Sequence, residues 1–164
     1  IFYMNRYTSI CFVVFALTLL SCVERTPKNS EIESQSREQI FEKGTRTSKE
    51  KFVGDVYMNL LVPEDSIYTT KSGSVTFEAG SRTNWHYHPS GQLLMVTEGT
   101  GYHQIEGQAK ETIVKGDVIK VPKNVKHWHG ASTDEAMTHI FVIPNTEKGA
   151  SVWFEPVSDA EFAE

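Results

Sequence analysis

Gly80-Ser81-Arg82-Thr83-Asn84-Trp85-His86-Tyr87-His88-Pro89-Ser90-Gly91-Gln92-Leu93-Leu94-Met95-Val96-Thr97-Glu98-Gly99 is the stretch from which the architecture is read. Side chains along an extended strand alternate between its two faces, so His86 and His88 point to one side together. Pro89-Ser90-Gly91 carries turn chemistry. Gln92 and the apolar run Leu93 to Val96 then carry the chain back across the same sheet. Two imidazoles on one inward face make half of a metal site. The other half is found in Gly116-Asp117-Val118-Ile119-Lys120-Val121-Pro122-Lys123-Asn124-Val125-Lys126-His127-Trp128-His129-Gly130-Ala131. There Gly116-Asp117 turns a hairpin, Pro122 ends a strand, and His127 faces inward from the next one.

Outward from these two stretches the chain from Phe52 onward consists of short extended segments. Strands are expected at Val56–Leu61, Ser74–Phe77, Leu93–Thr97, Gly101–Glu106, Lys110–Val114, Asp117–Val121, Lys126–Ala131 and Met137–Ile143. Val152–Val157 is expected as a last strand on the outside or against a second subunit. Turn residues separate them, among them Glu98-Gly99, Glu106-Gly107 and Lys115-Gly116. No sustained 3.6-residue apolar period occurs, so the domain is read as all-β, a sandwich or small barrel. Met137, His139 and Phe141 share one face of their strand. His139 is read either as a general base, since imidazole titrates near neutrality, or as a core histidine satisfied by a hydrogen bond. His129 shares the face of His127, pointing inward or lining the barrel mouth. His103 is placed at the surface or rim. Arg82 is a candidate to orient an anionic substrate group.

The chain has 164 residues, enough for one domain with a core of ordinary size. Its 16 Lys and Arg against 21 Asp and Glu leave no electrostatic footprint for nucleic acid. Residues 1–22 read as a lipoprotein signal peptide: Met4 as start, Arg6 as the positive region, Ile10 to Leu20 as a short apolar region, then Ser21-Cys22. This end resembles a bacterial lipobox, with Cys22 as the lipidated residue. The only other cysteine, Cys11, lies inside the removed segment, so the mature domain folds without a disulfide. Residues 23–51 are poor in large apolar side chains and read as a flexible tether, or over Glu31 to Lys43 as a short helix or pairing arm. Residues 52–164 form the domain. The expected location is the periplasm-facing or outer surface of a bacterial membrane, held by lipid alone.

Taken together, Gly80, His86, His88 and Gly99, followed by Gly116, Pro122 and His127, resemble the two motifs of the cupin superfamily, over roughly Gly54 to Pro144. Gln92 stands where that family usually has Glu, Asn124 where it has Gly, and Ala131 where it has Asn. Asn tolerates the left-handed backbone that Gly supplies. The resemblance implies a cupin β-barrel (a double-stranded β-helix or jelly roll) with a divalent metal on His86, His88, Gln92 and His127. Manganese is taken first; iron, nickel and zinc also suit imidazole and oxygen donors. Three imidazoles and an amide leave the ion its full charge, so it polarises an oxygen ligand more strongly than it would beside a Glu. Arg82-Thr83-Asn84-Trp85-His86, Val125-Lys126-His127-Trp128-His129 and Met137-Thr138-His139-Ile140 further resemble small cupins of the hydroxynitrile lyase type and cupins related to carboxymuconolactone decarboxylases. That likeness implies lyase chemistry on a small hydroxylated or carbonyl-bearing molecule, with His139 as base and His129 and Arg82 at the substrate, in a homodimer. A non-catalytic small-ligand sensor and an iron-dependent dioxygenase are the other expectations the pattern permits.

Expression with labelled palmitate tests the lipidation: label is expected on the full chain and lost in Cys22→Ser, and an unlabelled wild-type chain would refute the anchor.

Overall fold

The computed structural model describes residues 39–164. The expected signal segment, Cys22 and the first part of the tether lie outside the described residues. Twelve strands form one curled antiparallel sheet: β1 (Thr45–Arg46), β2 (Phe52–Val53), β3 (Val56–Val62), β4 (Thr70–Phe77), β5 (Arg82–Thr83), β6 (His86–Tyr87), β7 (Gln92–Ile105), β8 (Glu111–Val114), β9 (Val118–Val121), β10 (His127–Ala131), β11 (Met137–Pro144) and β12 (Val152–Trp153). A single short helix, α1 (Asp159–Ala163), comes after them. On one side the order is β1-β3-β4-β11-β7-β9. On the other it is β2-β5-β10-β7-β8, with β6 beside β10 and β12 beside β6. This is the cupin β-barrel arrangement expected from the sequence.

Strand β7 belongs to both sides. Its first half pairs with β9 and β11, its second half with β8 and β10. The turn expected at Glu98-Gly99 is instead a bend within this one long strand. Gly99 makes it possible, for its φ is +72° and a Cβ there would come within 1.8 Å of the Ala136 carbonyl oxygen on the neighbouring segment. Both the backbone angle and the close approach exclude a side chain. At Asn124, where the family motif usually has Gly, φ is +60°, the left-handed conformation expected of it.

Alternation builds the interior. Met137, His139, Phe141 and Ile143 of β11 are buried, as are Leu94 and Val96 of β7 and Val75 and Phe77 of β4. The core formed by these apolar residues with Phe52, Val56, Ile113 and Ala131 fills the space between the two sides. The folded unit begins ahead of Phe52. Within the segment read as a tether, β1 pairs with β3, Thr47 N–H donates to the Val56 carbonyl, and Arg46 and Lys43 reach Asp55 and Glu78. Backbone pairing needs no apolar residue, which is why the polar composition concealed it.

The C-terminal segment also departs from expectation. Only Val152–Trp153 is strand, pairing with β6; Trp153 packs against Phe52 and His86, while Val152 and Phe154 stay exposed. The chain then runs to α1, whose five residues are too few to show a helical period. Ser158 and Glu161 close a capping box at its start. A second small core of Trp85, Trp128, Val157 and Phe162 holds this end down. Arg82 serves it too. Its Nε and Nη2 donate to the Val157 carbonyl at 3.1 and 2.8 Å, Nη2 also meets Asp159 at 2.6 Å, and its guanidinium lies 4.6 Å from the Phe162 ring centroid. Buried and engaged this way, Arg82 is a strut for the C-terminus, not the substrate residue expected from its place in the motif.

Arg82→Ala strands the buried Val157 carbonyl and is expected to cost about 2 kcal/mol in urea unfolding. Asp159→Ala removes only an exposed partner and is expected to cost under about 1 kcal/mol. Equal effects of the two changes would contradict this assignment.

Candidate metal centre and cavity

All six histidines of the chain are buried inside the barrel. Strand β6 and the turn after it carry His86 and His88, β7 carries Gln92 and His103, β10 carries His127 and His129, and β11 carries His139. His103 therefore faces the interior, contrary to the expected rim position. It is the cross-strand partner of His129, which fixes it on an inward-pointing position. The alternation from Gly101 to His103 was the signal in the sequence, masked by the polar residues around it.

Three of the rings are oriented by the backbone. The Nδ1 atom of His86 lies 2.9 Å from the Asn84 carbonyl, that of His88 2.6 Å from Ala150, and that of His127 3.0 Å from Val125. A carbonyl can only accept, so each Nδ1 carries the proton and each Nε2 keeps its lone pair. This is how proteins prepare imidazoles for a metal. The Nε2 of His88 is buried with no partner among the described residues. The Gln92 Oε1 lies 3.1 Å from His127 Nε2. With Nδ1 protonated, that contact sets one lone pair against another, and it becomes favourable only with a cation between them or with the amide turned to offer its NH₂. By ring centroids His86, His88 and His127 form a compact group: 5.0 Å from His86 to His88, 4.3 Å from His86 to His127 and 5.6 Å from His88 to His127. By nearest donor nitrogens, His86, His127 and His129 lie within 4.8 Å of one another, a triad that could hold a metal ion. The donor set thus fits a divalent cation.

Burial keeps these rings neutral. It lowers His86 and His129 well below the ordinary imidazole value, and neighbouring imidazoles add to the effect. His127 is lowered to about 3 and His139 to about 4, in both cases chiefly by burial. Burial also lowers His88 and His103, with Glu111 opposing it at His103.

Beside the histidines lies a cavity of about 230 Å³. Its floor is His86, His88, Gln92, His129 and His139, and its walls are largely apolar, including Phe52, Val75, Phe77, Phe141, Ile143 and Trp153. His139 Nε2 and His129 Nδ1 are 3.2 Å apart, so one donates to the other, and His139 Nδ1 has no partner. Of the residues expected at the metal and the proton-transfer position, His86, His88, Gln92 and His139 line the cavity, and His127 packs against His86, His88 and Gln92. Arg82 does not line the cavity.

Residues 73–143 match the cupin domain family. A curated relative, the (R)-mandelonitrile lyase of Granulicella tundricola, is 42% identical over 111 residues, covering 68% of this chain and 85% of the relative. The chain belongs to the cupin family. A crystal structure of a cupin-like protein from Thermotoga maritima agrees, with a TM-score of 0.75 and 40% identity over 76% of this chain and 95% of that one. A DMSP lyase from Ruegeria pomeroyi shares the cupin fold at a TM-score of 0.55, with 18% identity over 74% of this chain and 62% of that one.

An imidazole kept neutral by the fold but free to protonate when unfolded makes stability rise with pH between its two pKa values. The metal-free cupin is therefore expected to be most stable above the unfolded value, near 6.5. On acidification toward about 4 it is expected to lose up to about 1.4 kcal/mol per pH unit for each such ring. Urea unfolding in the presence of a chelator measures this, and a flat profile from neutral pH down to about pH 5 would contradict neutral burial.

Proposed function

We propose that this cupin is a metal-dependent lyase acting on a small hydroxylated molecule of the cyanohydrin type. The observation that carries the proposal is the His129–His139 pair, which lines the same cavity as His86, His88 and Gln92. The likeness to a mandelonitrile lyase at 42% identity supports the choice of reaction. We assign the metal to His86, His88, His127 and Gln92, the set supported by the Nδ1 hydrogen bonds and by the unpartnered His88 Nε2. A divalent cation there, manganese in our assignment, supplies Lewis acidity toward the substrate's hydroxyl oxygen.

The chain's own residues do the rest. The apolar walls seat the organic body and exclude water, which strengthens every polar contact at the floor. His139, lowered to about 4, is unprotonated at neutral pH and can accept the hydroxyl proton, with His129 holding its other side. As the O–H proton leaves, the oxygen's electron pair closes the carbonyl. The bond to the cyanide carbon breaks, and its electrons leave with cyanide. Return of the proton gives an aldehyde and hydrogen cyanide, with no net oxidation or reduction. Gln92, being neutral, leaves the developing negative charge unopposed by a carboxylate.

Metal-loaded protein is expected to release cyanide and benzaldehyde from mandelonitrile. His139→Ala should lower kcat by about 10²- to 10⁴-fold with metal content unchanged. Full activity in His139→Ala would refute the base assignment, and absence of turnover by the metal-loaded wild type would refute the lyase reading.

A further inference from the structure

The whole chain is acidic, with 21 Asp and Glu against 16 Lys and Arg. The cavity inverts this balance, for among the described residues its lining contains Lys51 and Lys71 and no carboxylate. Lys71 occupies an inward position of β4. It stands in the alternating row that continues through Gly73, Val75 and Phe77, and its cross-strand partner is the buried Ile143. Lys71 is half-buried and Lys51 exposed, so their stems line the cavity while water still reaches their charges. Among the described residues neither Lys71 nor Lys51 makes an ion pair, and Lys51 lies 5.6 Å from the Trp153 ring centroid at the cavity wall. The other groups that line the cavity are apolar or neutral.

The spacing is informative as well. His139 is the cross-strand partner of Val75, four residues along β4 from Lys71, a backbone separation of roughly 13 Å. Apolar residues, among them Phe141 and Ile143, occupy the interval. Along β4 the lining runs from the imidazoles, through apolar residues, to the half-buried Lys71, which makes no ion pair among the described residues.

We infer that the cavity selects organic anions: molecules with an apolar, ring-sized body, a hydroxyl or carbonyl at the histidine end and a carboxylate at the opposite end, received by Lys71, with Lys51 at the Trp153 wall adding to the positive field. This rests on the cavity being the substrate site of the proposed lyase. It assigns Lys71 and Lys51 as specificity residues and makes an uncharged nitrile such as mandelonitrile a partial occupant of the site.

The test compares 4-(hydroxymethyl)benzoate with benzyl alcohol by calorimetric titration of the metal-loaded full chain. The carboxylate probe is expected to bind at least about tenfold more tightly, with the advantage shrinking as ionic strength rises. In Lys71→Met the ratio of the two affinities should fall to within about threefold, and in Lys71→Met with Lys51→Met it should vanish. Lys71→Arg, which keeps the charge, should preserve it. Equal binding of the two probes by the wild type, or a ratio that survives the double change, would overturn the inference. Cyanide release from mandelonitrile is a separate readout. Carboxylate preference without turnover of any cyanohydrin leaves the anion subsite standing and removes the lyase reading. Turnover without carboxylate preference does the reverse.

Discussion

Six imidazoles packed ring against ring in a barrel interior have to be supplied with hydrogen-bond partners, and most of the local structure around the site exists to do so. Neutral burial is the condition. A protonated ring in this setting would face both desolvation and the repulsion of its neighbours. Keeping a ring neutral leaves one nitrogen as donor and one as acceptor, and at His86, His88 and His127 the fold assigns them. The carbonyls of Asn84, Ala150 and Val125 each take one Nδ1 proton. Two of these carbonyls belong to the residue two positions before the ring they orient. The strand geometry that aims His86 and His127 inward therefore also sets their tautomer.

The third carbonyl ties the site to a remote part of the chain. Ala150 stands just ahead of β12, and β12 is held against β6 by pairing and by the stacking of Trp153 on His86, with ring centroids 4.6 Å apart. The C-terminal residues beyond β12 are anchored in turn by Arg82 and by the small core around Trp128 and Phe162. A charge buried outside the cavity thus helps hold a histidine in the orientation a metal requires. Strand β7 acts comparably from the other direction. By bending at Gly99 it contributes Gln92 to the site from one side of the barrel and His103 from the other, so that one strand closes the sheet and furnishes two of its interior polar groups.

The parts of this arrangement that could be read in the sequence are those carried by period-two alternation. His86 with His88, His127 with His129, and the row Met137, His139, Phe141 declare their common faces, and the spacing between glycines and histidines places the two halves of the site on neighbouring strands. Three features were not readable, each for a physical reason. Backbone pairing by Thr45–Arg46 leaves no apolar trace. A glycine in a left-handed conformation has the same signature whether it turns a hairpin or bends a continuous strand, so Gly99 looked like a turn. Arg82 lies inside the most informative motif, yet its role depends on contacts 75 or more residues away in sequence, and no local pattern encodes such a partner.

The neutral amide at position 92 links the tautomers of the rings to the charge of the cavity. A glutamate there would set an anion about 3.1 Å from His127 Nε2 and close to His88. Its field would lift the pKa of both rings and favour their protonation, so that without metal the site would collapse into an internal ion pair. Glutamine removes that alternative: the rings stay neutral and their lone pairs remain directed at the centre. The same choice leaves the cavity with no negative charge among the described residues that line it. On the proposed reading, a cation on the histidines with half-buried Lys71 and exposed Lys51 at the lining would make the cavity of an acidic protein a place where an anion is stabilised. That holds whether the anion enters as part of a ligand or develops as a bond breaks.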